Sequence, residues 1–411
     1  MTPAAYLDQH QADLAGFLQR LIHINTTNPP GENYGEITAL LTATLRDLGL
    51  QARRLPIPSA LQKKLLPGHA GCPRYNVLGF LDAGARKTIH FNAHYDVVPV
   101  SGLWRHGHAF NPVIQNGWIY GRGAADMKGA IASIIFALRA LLVTGTSPRC
   151  NLEVSFTADE ETDSALGAEW LVSNARLRAD YAVVGEGGSG NTICCGHNGV
   201  LWFNIHVQGR AAHGAEPAKG VNALEKMAAI IVALEGYKKR ISRRSLRTPD
   251  GKIMHPTINV GGVFAPGPGG KVNTVPAHGS FTIDRRVLTT EDHRTAEREL
   301  RSFLRRTARQ GPPGRVIIEK SLENFSCYLA PKHPFFTAMS HSVARVRRRP
   351  SSFMISTGFN DMHFFAKHLG IPTLGYGPGG RNYHAVDERA RIKDLVNSAK
   401  IYTELVTTFA G

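Results

Sequence analysis

His94 and Asp96 lie in HFNAHYDVVPV, Asp126 in YGRGAADMKGA, Glu160 and Glu161 in VSFTADEET, Glu186 in YAVVGEGG and His384 in GPGGRNYHAVDE. Repeatedly along the chain, an acid or imidazole stands where an apolar run gives out. Ionised carboxylates are costly to remove from water, so such a set needs a cation to gather it. The pattern points to a metal-dependent hydrolase. The neighbours Glu160 and Glu161 repel each other unless their roles separate, one ligating a cation and one acting as a base. In His94-x-Asp96, the carboxylate suits the second nitrogen of a metal-binding imidazole. Each residue alone has a plainer account. The Glu160-Glu161 pair suits a solvated loop, Asp126 a helix N-cap, Glu186 a turn and His384 the surface. Their joint order is poorly explained as unrelated accidents.

The elements that must position these groups are legible as alternating patterns. Residues 76–80, 88–92, 152–157 and 181–184 read as buried strands, and residues 128–142 and 164–174 as helices. Alternating strands and helices predict an α/β domain with a largely parallel sheet covered by helices on both faces. In such sheets functional groups collect at the carboxyl ends of strands. Asp96, Glu160, Glu161 and Glu186 all fall just past a predicted strand.

After Gly199 the pattern changes. Strands at 200–209, 257–265, 279–288 and 315–323, with helices at 222–234 and 290–309, follow a β-α-β-β-α-β order. That order predicts a ferredoxin-like α+β domain with a mostly antiparallel sheet, spanning residues 196–323. Residues 1–195 and 324–411 then form one discontinuous domain into which it is inserted.

Composition bounds the remainder. A chain of 411 residues with 43% hydrophobic and 19% charged content reads as soluble, globular and large enough for two domains. No apolar run is long enough to span a membrane. Near the start, Leu14, Phe17, Leu18, Leu21 and Ile22 recur at helical spacing, which favours an amphipathic helix over a secretory leader, and a cytoplasmic location is expected. Cys72, Cys150, Cys194, Cys195 and Cys327 form no CxxC pair and read as buried reduced thiols. The net charge of +16 concentrates in KKRISRRSLR and RVRRRP. No nucleic-acid motif or aromatic stacking platform accompanies these runs. They read as solvated helix ends and loops, with no nucleic-acid or membrane partner expected.

The segments GRGAADMKGAIAS, HYDVVP, DEE and GPGGRNYHAVDE resemble the zinc amidohydrolase and metallopeptidase family of acetylornithine deacetylase, succinyl-diaminopimelate desuccinylase, aminoacylase and glutamate carboxypeptidase. The resemblance runs from TTNPPG to the C-terminal helix. It implies a catalytic domain with an inserted lid or dimerisation domain, two Zn²⁺ per subunit (Co²⁺ or Mn²⁺ as substitutes) and a homodimer. His94, Asp126 and Glu186 would hold one ion, and Asp126, Glu161 and His384 the other. Asp96 would orient His94, and the Asp126-Met127 peptide would be cis. Glu160 would act as general base on a metal-bound water and then as acid to the leaving amine. His213 would stabilise the oxyanion, from the partner subunit in dimeric members. Asn273 and Arg286 would bind the substrate carboxylate, with Arg285 pointing away.

The implied substrate is an N-acyl-amino acid or a related small carboxylate. A dipeptidase or carboxypeptidase reading uses the same residues, and a catalytically silent binding protein is a more distant one. Two departures border the implied pocket. Gly187-Gly188-Ser189 stands where the family has proline and a hydroxyl residue, and Gly358-Phe359-Asn360-Asp361 where it has Gly-Thr-Asp.

Overall fold

A computed structural model describes residues 1–69, 71–267 and 270–411. The chain divides into two compact units. The first comprises Met1–Gly196, Leu329–Met354 and Asn360–Gly411, and the second His197–Tyr328 and Ile355–Phe359.

In the first unit the sheet runs, in spatial order, through the strands Gln51–Pro56, Tyr75–Leu81, Asn151–Thr157, Thr88–His94, Tyr181–Val184, Thr373–Gly375 and Thr192–His197. Its interior is parallel. Thr88–His94 pairs in parallel with both Asn151–Thr157 and Tyr181–Val184, and the latter with Thr373–Gly375. The flanking pairs are antiparallel, so the sheet is mixed rather than uniformly parallel. Every residue of Thr88–His94 is buried, the polar ones included, and His90 and Asn92 are satisfied by Glu153, Ser155 and Thr157 of the neighbouring strand. Because the interior strands run the same way, His94, Thr157 and Val184 all end at one edge of the sheet.

The helix Lys128–Val143 is buried over nearly all of its length. It packs against Gln11–His23, Ile392–Thr408 and the strand Thr88–His94. A Cβ on Gly129 would lie 2.4 Å from the Ala124 carbonyl oxygen, so only glycine lets the helix leave its loop this tightly. The N-terminal apolar stripe behaves as expected, with Leu14, Phe17, Leu18, Leu21 and Ile22 all buried in Gln11–His23.

One expected helix starts late. Residues 164–174 read as helical, but the helix is Ala168–Asn174, preceded by a 3₁₀ turn at Glu160–Thr162. Asp159, Asp163 and Ser164 have φ of 58°, 101° and 64°. The Ser164 hydroxyl donates to Asp361 at 2.5 Å and its amide to the Asp159 carbonyl at 2.7 Å. One local and one long-range hydrogen bond have outcompeted the helical pattern.

The second unit has a four-stranded antiparallel sheet in the order Thr257–Pro266, His278–Val287, Gly199–Gln208, Arg315–Asn324. The helices Ala223–Ile241 and His293–Gln310 pack on it around Phe203, Ile205, Phe281, Ile283, Leu234 and Leu300. Asn222 caps the first helix, accepting from the amides of Leu224 and Glu225, and Asp292 caps the second through the Thr295 amide. The first helix runs beyond residue 234 because Tyr237 and Ile241 continue its buried stripe. Among the described residues no helix is long and apolar enough to cross a membrane.

Of the cysteines, Cys150, Cys194, Cys195 and Cys327 are buried, whereas Cys72 is only partly so. Cys72 sits in the loop before the Tyr75 strand rather than in an element, which is why it departs from the buried reading.

Candidate metal centre

Asp126 ends the loop leading into the helix Lys128–Val143, and its peptide to Met127 is cis. It does not cap that helix, whose N-cap position is Met127. Its two carboxylate oxygens instead face two imidazoles. Oδ1 lies 3.2 Å from His94 Nε2, and Oδ2 lies 3.2 Å from His384 Nε2. Glu161 Oε2 reaches the same His384 nitrogen at 3.1 Å, and Glu160 Oε2 lies 3.8 Å from His94 Nε2.

His94 Nδ1 faces the Asp96 backbone oxygen at 3.1 Å and its carboxylate at 3.4 Å, which turns Nε2 into the cluster. The fully buried Asp96 carboxylate also accepts from the amides of Glu160 and Glu161, at 3.2 and 3.1 Å. It therefore aims the two adjacent acids as well as the imidazole. Glu186 follows the end of the Tyr181–Val184 strand, and its charge bears on Glu160.

Ligand atoms of His94, Asp126 and Glu161 all lie within 4.8 Å of one another. Oε1 of Glu161 and Oε1 of Glu186 are buried without a hydrogen-bond partner. A buried, unsatisfied carboxylate oxygen on Glu161, whose other oxygen meets His384, and another on Glu186 fit the ligands of a divalent cation. Imidazole and carboxylate donors without thiolate suit Zn²⁺, and also Co²⁺ or Mn²⁺.

Burial and neighbouring charges shift the titration of these groups. Burial works against a charged His94, yet its hydrogen bonds to Asp126 and Asp96 raise its pKa overall. The hydrogen bonds His384 makes to Asp126 and Glu161 push it up to about 10. Burial opposes ionisation of Asp126, but the two imidazoles more than offset it and hold the carboxyl below its usual range. Burial, then the charge of Glu186, raises Glu160, and burial, then Asp126, lifts Glu161 to about 7.

Several supporting residues were not singled out from sequence. Asn28, in TTNPPG, donates to Asp96 at 3.0 Å and to Asp159 at 3.1 Å. Asp159 is paired with the buried Arg74 at 3.1 Å and accepts from Tyr34 Oη at 2.9 Å. The buried Lys128 ammonium donates to the carbonyls of Leu21 and Ile24, and burial lowers it to about 7. Glu388 holds the Asp126 loop from beneath. Only the spacing HAVDE, with an acid four residues past His384, carried any signal for it.

The departures at Gly187 and Gly188 have a packing reason. A Cβ on Gly188 would lie 2.6 Å from the Gly375 carbonyl oxygen, and Gly187 has φ of 82°. The sheet edge closes tightly there, which proline could not permit.

In the second unit His213 is exposed, and its Nδ1 accepts from the Ala215 amide at 3.1 Å, which puts the proton of a neutral ring on Nε2. The Gly214 amide donates to the Asn273 carbonyl at 2.7 Å, so the His213 and Asn273 segments lie side by side. Arg286 shares a strand face with Thr282 and Asp284 and is bound by the Asp284 carboxylate at 2.9 Å. Arg285 points the opposite way, is fully buried and pairs with Glu291 at 2.7 Å.

Residues 90–408 match the sequence model of peptidase family M20/M25/M40. An acetylornithine deacetylase of Photorhabdus laumondii is 28% identical over 373 residues, covering 90% of this chain and 89% of its own. A succinyl-diaminopimelate desuccinylase of Alkalilimnicola ehrlichii is 29% identical over 388 residues, covering 87% and 99%. Among solved structures, an M20 family metallo-carboxypeptidase of Sulfolobus solfataricus aligns with a TM-score of 0.76 at 22% identity, covering 96% of this chain and 98% of its own.

Proposed function

The chain belongs to peptidase family M20/M25/M40, and we propose that within it the protein hydrolyses the amide bond of an N-acyl-amino acid or a related small carboxylate substrate. We place two divalent ions, zinc first among them, in the cluster. His94, Asp126 and Glu186 would hold one, and Asp126, Glu161 and His384 the other. When bound, such ions polarise the amide carbonyl and acidify water. The observation that carries the reading is the Asp126 carboxylate, with one oxygen facing each imidazole at 3.2 Å.

Glu160 is the proton carrier in this reading. It stands 3.8 Å from His94 Nε2, farther than the 3.1–3.2 Å pairs that Asp126 and Glu161 make with the imidazoles, and burial raises its carboxyl well above the ordinary carboxylate range. It takes a proton from the attacking water and delivers it to the departing amine. Asp96 holds His94 and the Glu160-Glu161 backbone still while the proton moves.

We read the first unit as the catalytic domain and the second as the inserted domain, in a homodimer. Substrate contact is assigned to His213, Asn273 and Arg286. The Nε2–H of His213 suits an oxyanion, and the Arg286 guanidinium can trade the Asp284 carboxylate for that of a substrate. The two curated relatives named above as deacylases support deacylation ahead of peptide cleavage.

Metal analysis followed by a screen of N-acetyl- and N-succinyl-amino acids and dipeptides tests the proposal. Stoichiometric zinc with turnover of an N-acyl-amino acid is expected. Turnover of dipeptides alone would move the assignment to an exopeptidase, and a protein that takes up no divalent metal would end it.

A further inference from the structure

We propose that Glu388 is a positioning residue for the metal centre, one side chain that fixes the turn bearing Asp126 and the loop bearing His384 in a common frame. The inference rests on the proposed function above. His384 lies in a loop closed at its base by paired backbone bonds, Arg381 N to Arg389 O at 2.9 Å and Arg389 N to Arg381 O at 3.1 Å. Glu388 stands beside that closure, fully buried.

Its carboxylate is shared evenly. Oε2 accepts from Arg122 Nη1 at 2.7 Å and from the Gly123 amide at 3.1 Å. Oε1 accepts from the Ala125 amide at 2.9 Å and from the amide of Asp126 itself at 3.0 Å. The Glu388 carbonyl also accepts from the Gly121 amide at 2.9 Å. A carboxylate needed only to neutralise Arg122 has no reason to collect the amides of Gly123, Ala125 and Asp126. Those amides belong to the turn that presents the Asp126 carboxylate to both imidazoles. Because Glu388 is covalently part of the His384 loop, any displacement of it moves His384 relative to Asp126. Partners behind a metal ligand typically contribute 10–100-fold to metal affinity.

Both carboxylate oxygens are needed. Glu388→Gln preserves the shape but turns an NH₂ group toward two N–H donors. Glu388→Asp keeps the charge and withdraws it by one methylene.

The experiment titrates Zn²⁺ alone into the metal-free wild type and both variants, records the visible spectrum of each with Co²⁺, and measures the thermal midpoint of each metal-free protein. We expect about 10–100-fold weaker Zn²⁺ binding for Glu388→Gln, a smaller loss for Glu388→Asp and a changed Co²⁺ spectrum in both. If Glu388→Gln does not fold, Glu388→Asp decides by the same readouts. A variant that is folded, or merely less stable, yet shows wild-type Zn²⁺ affinity and Co²⁺ spectrum would overturn the assignment. Failure of the wild type to bind Zn²⁺ would instead strike at the proposed function.

Discussion

At the scale of single residues, Glu160 and Glu161 show how adjacent acids acquire different work. Both are attached to Asp96 through their amides, but only Glu161 meets His384, at 3.1 Å. Glu160 stands farther off, 3.8 Å from His94 Nε2, and burial leaves its carboxyl inclined to hold a proton. Glu160→Ala should therefore lower turnover by about 10²–10⁴-fold while zinc content stays near wild type. Parallel kinetics and elemental analysis check this, and loss of zinc from the variant would make Glu160 a ligand. The separation was legible in sequence because like charges at a strand end demand it. The part played by Asn28, Asp159 and Glu388 was not. Each acts through partners far away in the chain, as when Glu388 meets Asp126 across 262 positions, and spacing within a motif cannot register such a meeting.

At the scale of elements, the cluster depends on how the loop at 159–164 is braced. Asn28 bridges Asp96 to Asp159, and Asp159 is held by Arg74 and Tyr34, all of them buried. Removing one partner of a buried pair leaves an uncompensated charge, whereas removing both is far cheaper. Arg74→Met should cost about 3–5 kcal/mol of stability, and Arg74→Met with Asp159→Asn should recover much of it. Urea unfolding of the metal-free proteins measures both. Equal losses in the single and double variants would show that Arg74 acts by packing alone. The same brace explains the misplaced helix start. Period alone assigned residues 164–174 to a helix, but the bond from Ser164 to Asp361, 197 residues away, holds the first residues in a turn. The helix Ala223–Ile241 erred the other way, since its stripe simply continued past the point where the sequence pattern faded.

At the scale of the molecule, the parallel interior of the sheet could be read from the alternation of strands with helices, as from Thr88–His94 through Lys128–Val143 to Asn151–Thr157. The antiparallel margins could not, because strand direction at an edge is set by pairing with distant segments. The interior gathers carboxyls at one sheet edge, and their collective titration has a definite sign. Burial lifts Asp159 and Asp361 to about 6 and Glu161 to about 7, above the ordinary value near 4. A carboxyl raised on folding contributes stability that is complete below its unfolded pKa and is lost as pH climbs through the folded one. The metal-free protein should thus lose stability from these groups between about pH 4 and 7. His384, raised to about 10, adds stability below its ordinary pKa and loses it only in the alkaline range. A cation requires the carboxylates ionised and His384 neutral, so its binding releases protons and tightens as pH rises. Because a ligand of the native state stabilises in proportion to the logarithm of its affinity, the difference in thermal midpoint between zinc-loaded and metal-free protein should widen steadily from about pH 5 to pH 8. Scanning calorimetry at fixed free Zn²⁺ would read this directly. A difference that stays constant across that window would mean that the acids at the sheet edge do not exchange protons for metal.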